Sequence, residues 1–381
     1  MRVLYICSSI PGRGIHYYPS LLPEAMSRLG IEPIILSGPG ETDSGIRKRL
    51  HIAGLEVIDL HSLQNVGVEA SFKSARNLAR IFQKWSIDII HIFGFRAAWR
   101  CLMAQFVFRH CYSIPIVITL TWIRNGMRGE WLTRGICSQI YNCTNCTVCL
   151  LSTLELRKMR SGGLKRSNAL MIPFYIDYQR FQTFSHQRDS VTLPFYQSLE
   201  GRFPLVYLAH FCKLKGHEYL LRVAKLVVKR FPNCIFVLTG EGPLLGHMRL
   251  LAAELGIANH VLFVGRLPMA QVLALLHRCR IGLVSSLSET FSSIITEYLL
   301  ADLPVISTDV GFALDLARVG GVRMVPKSNP EAMAEAIIQL IGDENLRKQI
   351  AERGKRFVLE QCEINSVARK YKEVYERSLS R

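Results

Sequence analysis

Short apolar runs of strand length alternate with longer segments of helical period along almost the whole chain. The runs fall at residues 3–7, 32–36, 56–59, 87–92, 116–120 and 147–151, and again at 205–208, 234–239, 260–264, 281–284 and 305–308. Their unbroken Val/Ile/Leu character predicts strands covered on both faces, as in a parallel sheet, because a half-exposed strand would alternate with polar residues. Between the runs, residues 18–29, closed by Gly30, and 218–230, stopped before Pro232, carry helix spacing. Strand–helix alternation repeated in two blocks predicts an α/β chain with two doubly wound domains. The polar, poorly periodic stretch 182–202 is the best candidate for a linker. Residues 364–379, with Val367, Tyr371, Val374 and Tyr375 on one side, predict an amphipathic terminal helix. There is no low-complexity segment and no short-period repeat.

Composition narrows this picture. The chain has 381 residues, which at about 100–200 per domain agrees with two domains. Hydrophobic residues make up 49% and charged ones 20%, an ordinary balance for a packed core, and mean hydropathy is +0.18. No run approaches the ~18–20 apolar residues of a membrane span. The apolar stretch at the N-terminus is too short for a signal peptide and reads as a first strand, so the expectation is a soluble cytoplasmic protein.

Net charge is +17, and it is uneven: residues 1–190 carry 23 basic and 12 acidic side chains, the remainder 24 and 18. The first half should therefore attract an anionic partner, whether a phospholipid surface, a phosphorylated acceptor or a nucleic acid. Eleven cysteines without a secretory leader point to reduced thiols. Cys143, Cys146 and Cys149 form a C-x2-C-x2-C run, but an iron–sulfur pattern would want a further Cys where Thr153 stands. Zinc would need a distant fourth ligand, and a cysteine-rich buried strand is the simpler reading.

The segment that carries most chemistry is Ser286-Leu-Ser-Glu289-Thr-Phe-Ser-Ser-Ile-Ile-Thr-Glu297. It follows an apolar strand and should open a helix near Ser292, presenting free N–H groups and the positive end of a helix dipole to an anion such as a diphosphate. Glu289 lies in the loop and Glu297 about two turns on; carboxylates suit hydroxyl-rich ligands because each oxygen accepts a hydrogen bond. The pair could equally be an acidic helix start with an incidental second Glu.

In its wider frame this stretch resembles the family-four retaining glycosyltransferases of the GT-B fold, whose donor motif is E-x7-E. Glu289, Phe291 and Glu297 match that motif, and Leu299-Leu-Ala-Asp-Leu-Pro304-Val-Ile-Ser-Thr-Asp-Val-Gly311 matches the segment that follows it. Upstream, Lys215-Gly216, then Phe236-Val-Leu-Thr-Gly240-Glu-Gly242-Pro243, then Val264-Gly265-Arg-Leu-Pro268 come in the family's order. In the first half, Gly12 and Gly14, Asp88-Ile-Ile-His91, Ser152 and Ile172-Pro173…Asp177…Arg180-Phe181 follow the same pattern.

The resemblance implies two Rossmann-like domains facing an interdomain cleft: an acceptor-side domain over 1–182, with helix 364–381 packing back onto it, and a donor-binding domain over 183–363. It implies a UDP- or GDP-sugar co-substrate, no bound metal, and transfer to a glycan or lipid-linked acceptor in cell-surface polysaccharide or glycolipid synthesis. Lys215 and Glu289 become the catalytic candidates, Lys215 neutralising the departing diphosphate and Glu289 binding the donor sugar. The donor-binding set adds Gly14, His210, Lys213, Gly240, Arg266, Leu267, Thr290, Phe291, Ser292, Ser293 and Glu297, with Glu297 on the ribose and Arg266-Leu267 against the base. Acceptor-side candidates are His91, Thr121, Trp122 and Arg124.

The chain departs from the family pattern in places. A family Arg falls on His210, two family histidines fall on Phe93 and Thr121, and the glycines flanking the family Phe are Thr290 and Ser292. Lys213, or His210 when protonated, could restore the missing charge. A basic stripe of Lys73, Arg76, Arg80 and Lys84, and the Trp122–Arg134 stretch mixing Trp with Arg, would suit the cytoplasmic face of an anionic membrane or else a solvated surface. Two other functions would fit the same chain: a sugar-nucleotide epimerase or hydrolase, revealed by nucleoside diphosphate release without an acceptor product, and a basic nucleic-acid binder. The last lacks the aromatic-basic motifs of such proteins.

Overall fold

The computed structural model describes residues 1–7, 21–38, 44–59, 76–78, 80–82, 84–94, 97–98, 101–102, 114–120, 130–142, 144, 146–186 and 191–380. The chain divides into two compact units, residues 1–177 with 362–381, and residues 178–361.

Unit 1 is built on a seven-stranded sheet: β1 (Arg2–Cys7), β2 (Glu32–Ser37), β3 (Val57–Asp59), β4 (Ile89–Phe93), β5 (Ile116–Leu120), β6 (Cys146–Leu150) and β7 (Ala169–Met171). The strands run parallel in the order β3-β2-β1-β4-β5-β6-β7. Side chains alternate across a strand, so a sheet covered on both sides must be apolar at every position. Leu4, Ile6, Ile90, Ile92, Ile116 and Ile118 enter one core, whereas Val3, Tyr5, Ile89 and Val117 enter the other. The same alternation separates the two described members of the cysteine run: Cys146 lies in the first core and Cys149 in the second, so they cannot share a metal. Burial pushes the Cys146 thiol up to about 11 and Cys149 higher still, keeping both protonated.

The helices of unit 1 with given bounds are α1 (Leu21–Ser27), α2 (Ser44–Ile52), α3 (Glu130–Asn142) and α4 (Thr153–Ser161). Ser152 caps α4 by accepting a hydrogen bond from the Glu155 N–H. In the basic stretch, Leu78 and Phe82 are buried while Arg76, Arg80 and Lys84 are exposed.

Unit 2 repeats the plan with a six-stranded sheet: β8 (Phe203–Leu208), β9 (Cys234–Thr239), β10 (Val261–Gly265), β11 (Ile281–Val284), β12 (Val305–Thr308) and β13 (Arg323–Val325). The order is β10-β9-β8-β11-β12-β13, all parallel. Its helices are α5 (Tyr178–His186), α6 (His217–Arg230), α7 (Leu245–Glu254), α8 (Met269–Leu276), α9 (Ser293–Leu300), α10 (Ala313–Ala317), α11 (Pro330–Gly342) and α12 (Glu344–Cys362). The terminal helix α13 (Ile364–Leu379) belongs to unit 1, where Val367, Tyr371 and Tyr375 are fully buried beside α1, β5 and β6. Glu363 caps it by accepting hydrogen bonds from the N–H groups of Asn365 and Ser366.

Two strands, β7 and β13, are absent from the pattern reading. Each is three residues long at a sheet edge and lacks two adjacent β-branched residues, which the equally short edge strand β3 has in Val57-Ile58. The polar stretch expected as a linker starts inside α5, whose Ser185 hydroxyl meets His277 at 3.2 Å. One buried residue, Phe181, holds that helix down, which is less than periodicity can detect.

Candidate functional site

In each sheet the strand order reverses once, between β1 and β4 and between β8 and β11. At such a point the loops leaving adjacent strands diverge and open a crevice at the carboxyl ends, where ligands bind in open α/β folds. In unit 2 the two loops concerned are 209–216, after β8, and 285–292, after β11. They contain Lys215 and Glu289.

The loop after β8 is set by close backbone packing. It ends in a 3-10 turn, Lys213–Lys215, and then Gly216, whose φ of +66° turns the chain into α6. A Cβ on Gly216 would stand 2.2 Å from the Ser285 carbonyl oxygen, so only glycine lets the two loops lie together. A second such contact is at Gly240, where a Cβ would stand 2.1 Å from the Ala209 carbonyl. The loops are then stitched by hydrogen bonds. Leu287 N–H donates to the Leu214 carbonyl at 2.8 Å. The Lys215 carbonyl accepts from the Tyr207 hydroxyl at 2.8 Å and from the Ser285 hydroxyl at 3.0 Å. Thr308 donates to the Ser286 carbonyl at 2.6 Å.

This frame brings the two catalytic candidates into contact. Lys215 Nζ lies 2.5 Å from Glu289 Oε1, and the same oxygen accepts from Ser286 Oγ at 2.7 Å. Tyr207 Oη is 2.9 Å from Ser286 Oγ, so a buried hydroxyl chain supports the ion pair from below. Burial, and then the nearby Glu289 charge, push the Tyr207 phenol well above its ordinary range, so it stays neutral.

Beyond Glu289, Phe291 is buried and stacks on Phe312 at 4.6 Å. Phe312 N–H donates to the Phe291 carbonyl at 2.8 Å. Ser292 follows at φ +71°, a left-handed conformation uncommon for a side chain larger than glycine. It is the residue before α9, it is only 7% exposed, and its hydroxyl has no hydrogen-bond partner among the described residues. Ser293 opens α9, and Glu297 is 8% exposed one and a half turns into it. Next to Glu297, Tyr298 lies under Gly282 and accepts from the Leu208 N–H at 2.8 Å, tying α9 to β8.

The remaining donor candidates are spread over neighbouring loops of the same unit. His210 is exposed just after β8, and its carbonyl accepts from Cys212 N–H. Arg266 is exposed and Leu267 half-buried after β10. Thr290 is half-buried between Glu289 and Phe291. Lys213 does not join Lys215: it lines a separate cavity on the α6–α7 side. Gly14, Thr121, Trp122 and Arg124 lie outside the described residues.

His91 sits in the core of unit 1, fully buried on β4. Its Nδ1 is 2.6 Å from Tyr375 Oη and its Nε2 2.8 Å from Thr119 Oγ1, and Phe93 packs on its ring at 4.4 Å. Both nitrogens are therefore spent on holding α13 to the sheet, which leaves none for an acceptor. Ser286, Ser285, Tyr207 and Thr308 were not singled out by the sequence reading, because small hydroxyl residues at strand ends carry no pattern of their own. Among the described residues no group of His, Cys, Asp and Glu is placed to hold a metal ion.

Comparison with known proteins agrees with this geometry. Residues 194–357 match the model of the family described as glycosyl transferases group 1. The uncharacterized glycosyltransferase MJ1607 of Methanocaldococcus jannaschii is 25% identical over 173 residues, covering 45% of this chain and 44% of that protein. The D-inositol 3-phosphate glycosyltransferase of Corynebacterium jeikeium is 26% identical over 291 residues, covering 70% and 67%. The chain thus spans under half of the first relative and about two thirds of the second. The crystal structure of Anabaena Alr3699/HepE in complex with UDP superposes with a TM-score of 0.76 at 17% identity, covering 99% of this chain and all of that one. The family match lies across β8, β11 and the Glu289–Glu297 segment of unit 2, and the GT-B fold is shared over the whole length.

Proposed function

We propose that this protein is an enzyme that transfers a sugar from a nucleotide-sugar donor to a glycan or lipid-linked acceptor, with retention of anomeric configuration. The observation that carries the reading is the arrangement at the β8–β11 crossover: the Lys215–Glu289 ion pair in the loops that lead to α9, at whose start the buried Ser292 hydroxyl has no partner among the described residues. A polar group buried without a hydrogen bond costs about 1–3 kcal/mol, so such a group is expected where a ligand supplies the bond. At a helix N-terminus the ligand favoured by the backbone dipoles is an anion.

In this reading the donor diphosphate lies against the amides of Phe291, Ser292 and Ser293 and the Ser292 hydroxyl. Lys215 releases part of its hold on Glu289 to meet the negative charge that grows on the leaving group. Glu289, held by Ser286, then accepts hydrogen bonds from the donor sugar. Glu297 takes the ribose hydroxyls, while Arg266 and Leu267 pack against the base. Such a site works by positioning and charge stabilisation, without a protein nucleophile.

A UDP-sugar is the preferred donor, in line with the UDP bound to the Anabaena protein. The cationic first half, with Arg76, Arg80 and Lys84 outward over buried Leu78 and Phe82, suits a protein resting on an anionic membrane face while making polysaccharide or glycolipid. No helix among the described residues is long and apolar enough to cross a membrane.

Calorimetry with UDP tests the site. Glu297→Ala should weaken binding by at least about tenfold, or ~1.4 kcal/mol. Lys215→Ala should lower turnover by about 10²–10³, the usual cost of removing one group that stabilises developing charge. Wild-type affinity for UDP in Glu297→Ala would sink the assignment, and failure to sediment with anionic liposomes would remove the membrane partner.

A further inference from the structure

A second cavity, of about 510 Å³, opens in unit 2 beside the first turns of α6 and α7. Its volume falls within the roughly 300–1,000 Å³ of small-molecule sites. Lys215, Glu289, Ser292 and Glu297 are not among its walls, which come from the 212–216 turn, α6, Leu244 and α7, the 328–330 segment, and Leu287 of the loop that carries Glu289.

Three features give the cavity a chemistry. The first is His217, the opening residue of α6, which forms part of the wall and is only 2% exposed. Its ring stacks on Phe211 at 4.1 Å, and neither ring nitrogen has a hydrogen-bond partner among the described residues. Burial first, then the charges of Lys215 and His210, lower its pKa to about 4, so at neutral pH it offers one N–H donor and one lone pair. A ligand must bring both an acceptor and a donor to satisfy it, which a hydroxylated molecule does.

The second feature is a cationic margin. The Lys213 side chain is exposed with no ion-pair or hydrogen-bond partner among the described residues, and His247 lines the same cavity. Arg222 also lines the cavity, held at 2.9 Å by Glu218 one turn back. The third is an apolar lining of Tyr219, Met248 and Pro330, suited to the carbon skeleton of a compact ligand.

We propose that this cavity is a second binding site, adjoining the donor segment at Leu287 but apart from the Lys215–Glu289 pair and Ser292, for a small hydroxylated phosphomonoester. The phosphate faces Lys213 and the ligand's hydroxyls satisfy His217. The site has a direct line to the donor segment. Residues 212–217 form one turn, with Lys213 and His217 on the cavity and Lys215 between them on Glu289. Occupancy that fixes the turn also fixes Lys215.

The experiment is calorimetric titration of the full chain with glucose 6-phosphate and with glycerol 3-phosphate, with and without saturating UDP. The expected result is binding of one phosphomonoester per chain that persists with UDP present. Affinity should fall at least about tenfold in Lys213→Glu and in His217→Phe. His217→Phe keeps the stacked ring and should fold as the wild type does, so loss of binding there reads on the nitrogens alone. Three results would overturn the proposal: no heat with either ester up to about 10 mM, displacement of the ester by UDP, or unchanged binding in both variants. If UDP itself fails to bind, the donor assignment falls while the titration of the cavity still decides this one.

Discussion

Among the described residues each unit buries one histidine beside its sheet, and the two are opposites. His91 in unit 1 has both ring nitrogens engaged, by Tyr375 and Thr119. Because Tyr375 donates onward to Tyr5 at 3.2 Å, His91 must carry its proton on Nδ1 and accept from Thr119 at Nε2. Thr119 in turn accepts from Tyr371, 2.7 Å away. The chain Tyr5–Tyr375–His91–Thr119–Tyr371 joins β1, β4 and β5 to α13. His217 in unit 2 is packed almost as tightly against aromatic rings, yet neither nitrogen is bonded among the described residues. The same residue type thus serves as structural glue in one unit and as an open valence in the other. What separates them is whether the fold itself supplies the partners.

The largest effect should come from breaking the network around His91. His91→Ala removes a fully buried ring and leaves Tyr375 and Thr119 without a partner, so it should cost about 4 kcal/mol, read as lost amide protection in β4 and α13. Protection at the wild-type level would mean that the network is ornamental.

Acid sharpens the comparison next. Burial lowers His91 to about 3 and His217 to about 4, against 6.5 when exposed. Both are neutral in folded and unfolded chains above pH 6.5, so neither adds pH dependence there. Below 6.5 the unfolded chain takes up protons that the folded chain refuses. Stability then falls by about 1.4 kcal/mol per pH unit for each histidine. The loss runs down to about pH 3 for His91 and about pH 4 for His217, giving ~3 kcal/mol in each unit between pH 6.5 and 4. Hydrogen exchange followed with pH reads each unit separately, and a flat profile in unit 2 would place His217 in contact with water.

The smallest effect has the opposite sign. His217→Phe removes two unsatisfied nitrogens and keeps the stack on Phe211, so it should leave unit 2 unchanged or more stable by up to ~1 kcal/mol. A rise in melting temperature without ligand, together with a smaller acid dependence, is the expected pair of results. Marked destabilisation would show that the nitrogens are bonded in solution.

Much of the architecture is legible in the sequence because parallel strands covered on both faces must be apolar at every position. That requirement leaves continuous runs, and eleven of the thirteen strands coincide with such a run. The misses follow from the same physics. β7 and β13 are three-residue edge strands without the β-branched pair that marks β3, and α5 is a polar helix with one buried anchor. At the candidate donor site, the Glu289–Glu297 spacing, Lys215 and the glycines stand out as ordered motifs. The hydroxyls of Tyr207, Ser285, Ser286 and Thr308 do not, since their value lies in distances between strand ends.

The sequence by itself determined two doubly wound α/β blocks, a loop–helix segment with two carboxylates, and an excess of positive charge in the first half. Local rules suffice for these, because period, turn residues and charge are properties of neighbouring positions. Only the tertiary structure decided that Lys215 pairs with Glu289 while Lys213, two residues away, turns to another cavity. It alone showed that His91 is used up in the core and that His217 is not. Those outcomes depend on which groups from distant segments arrive within hydrogen-bond reach, and no pattern along the chain encodes that distance.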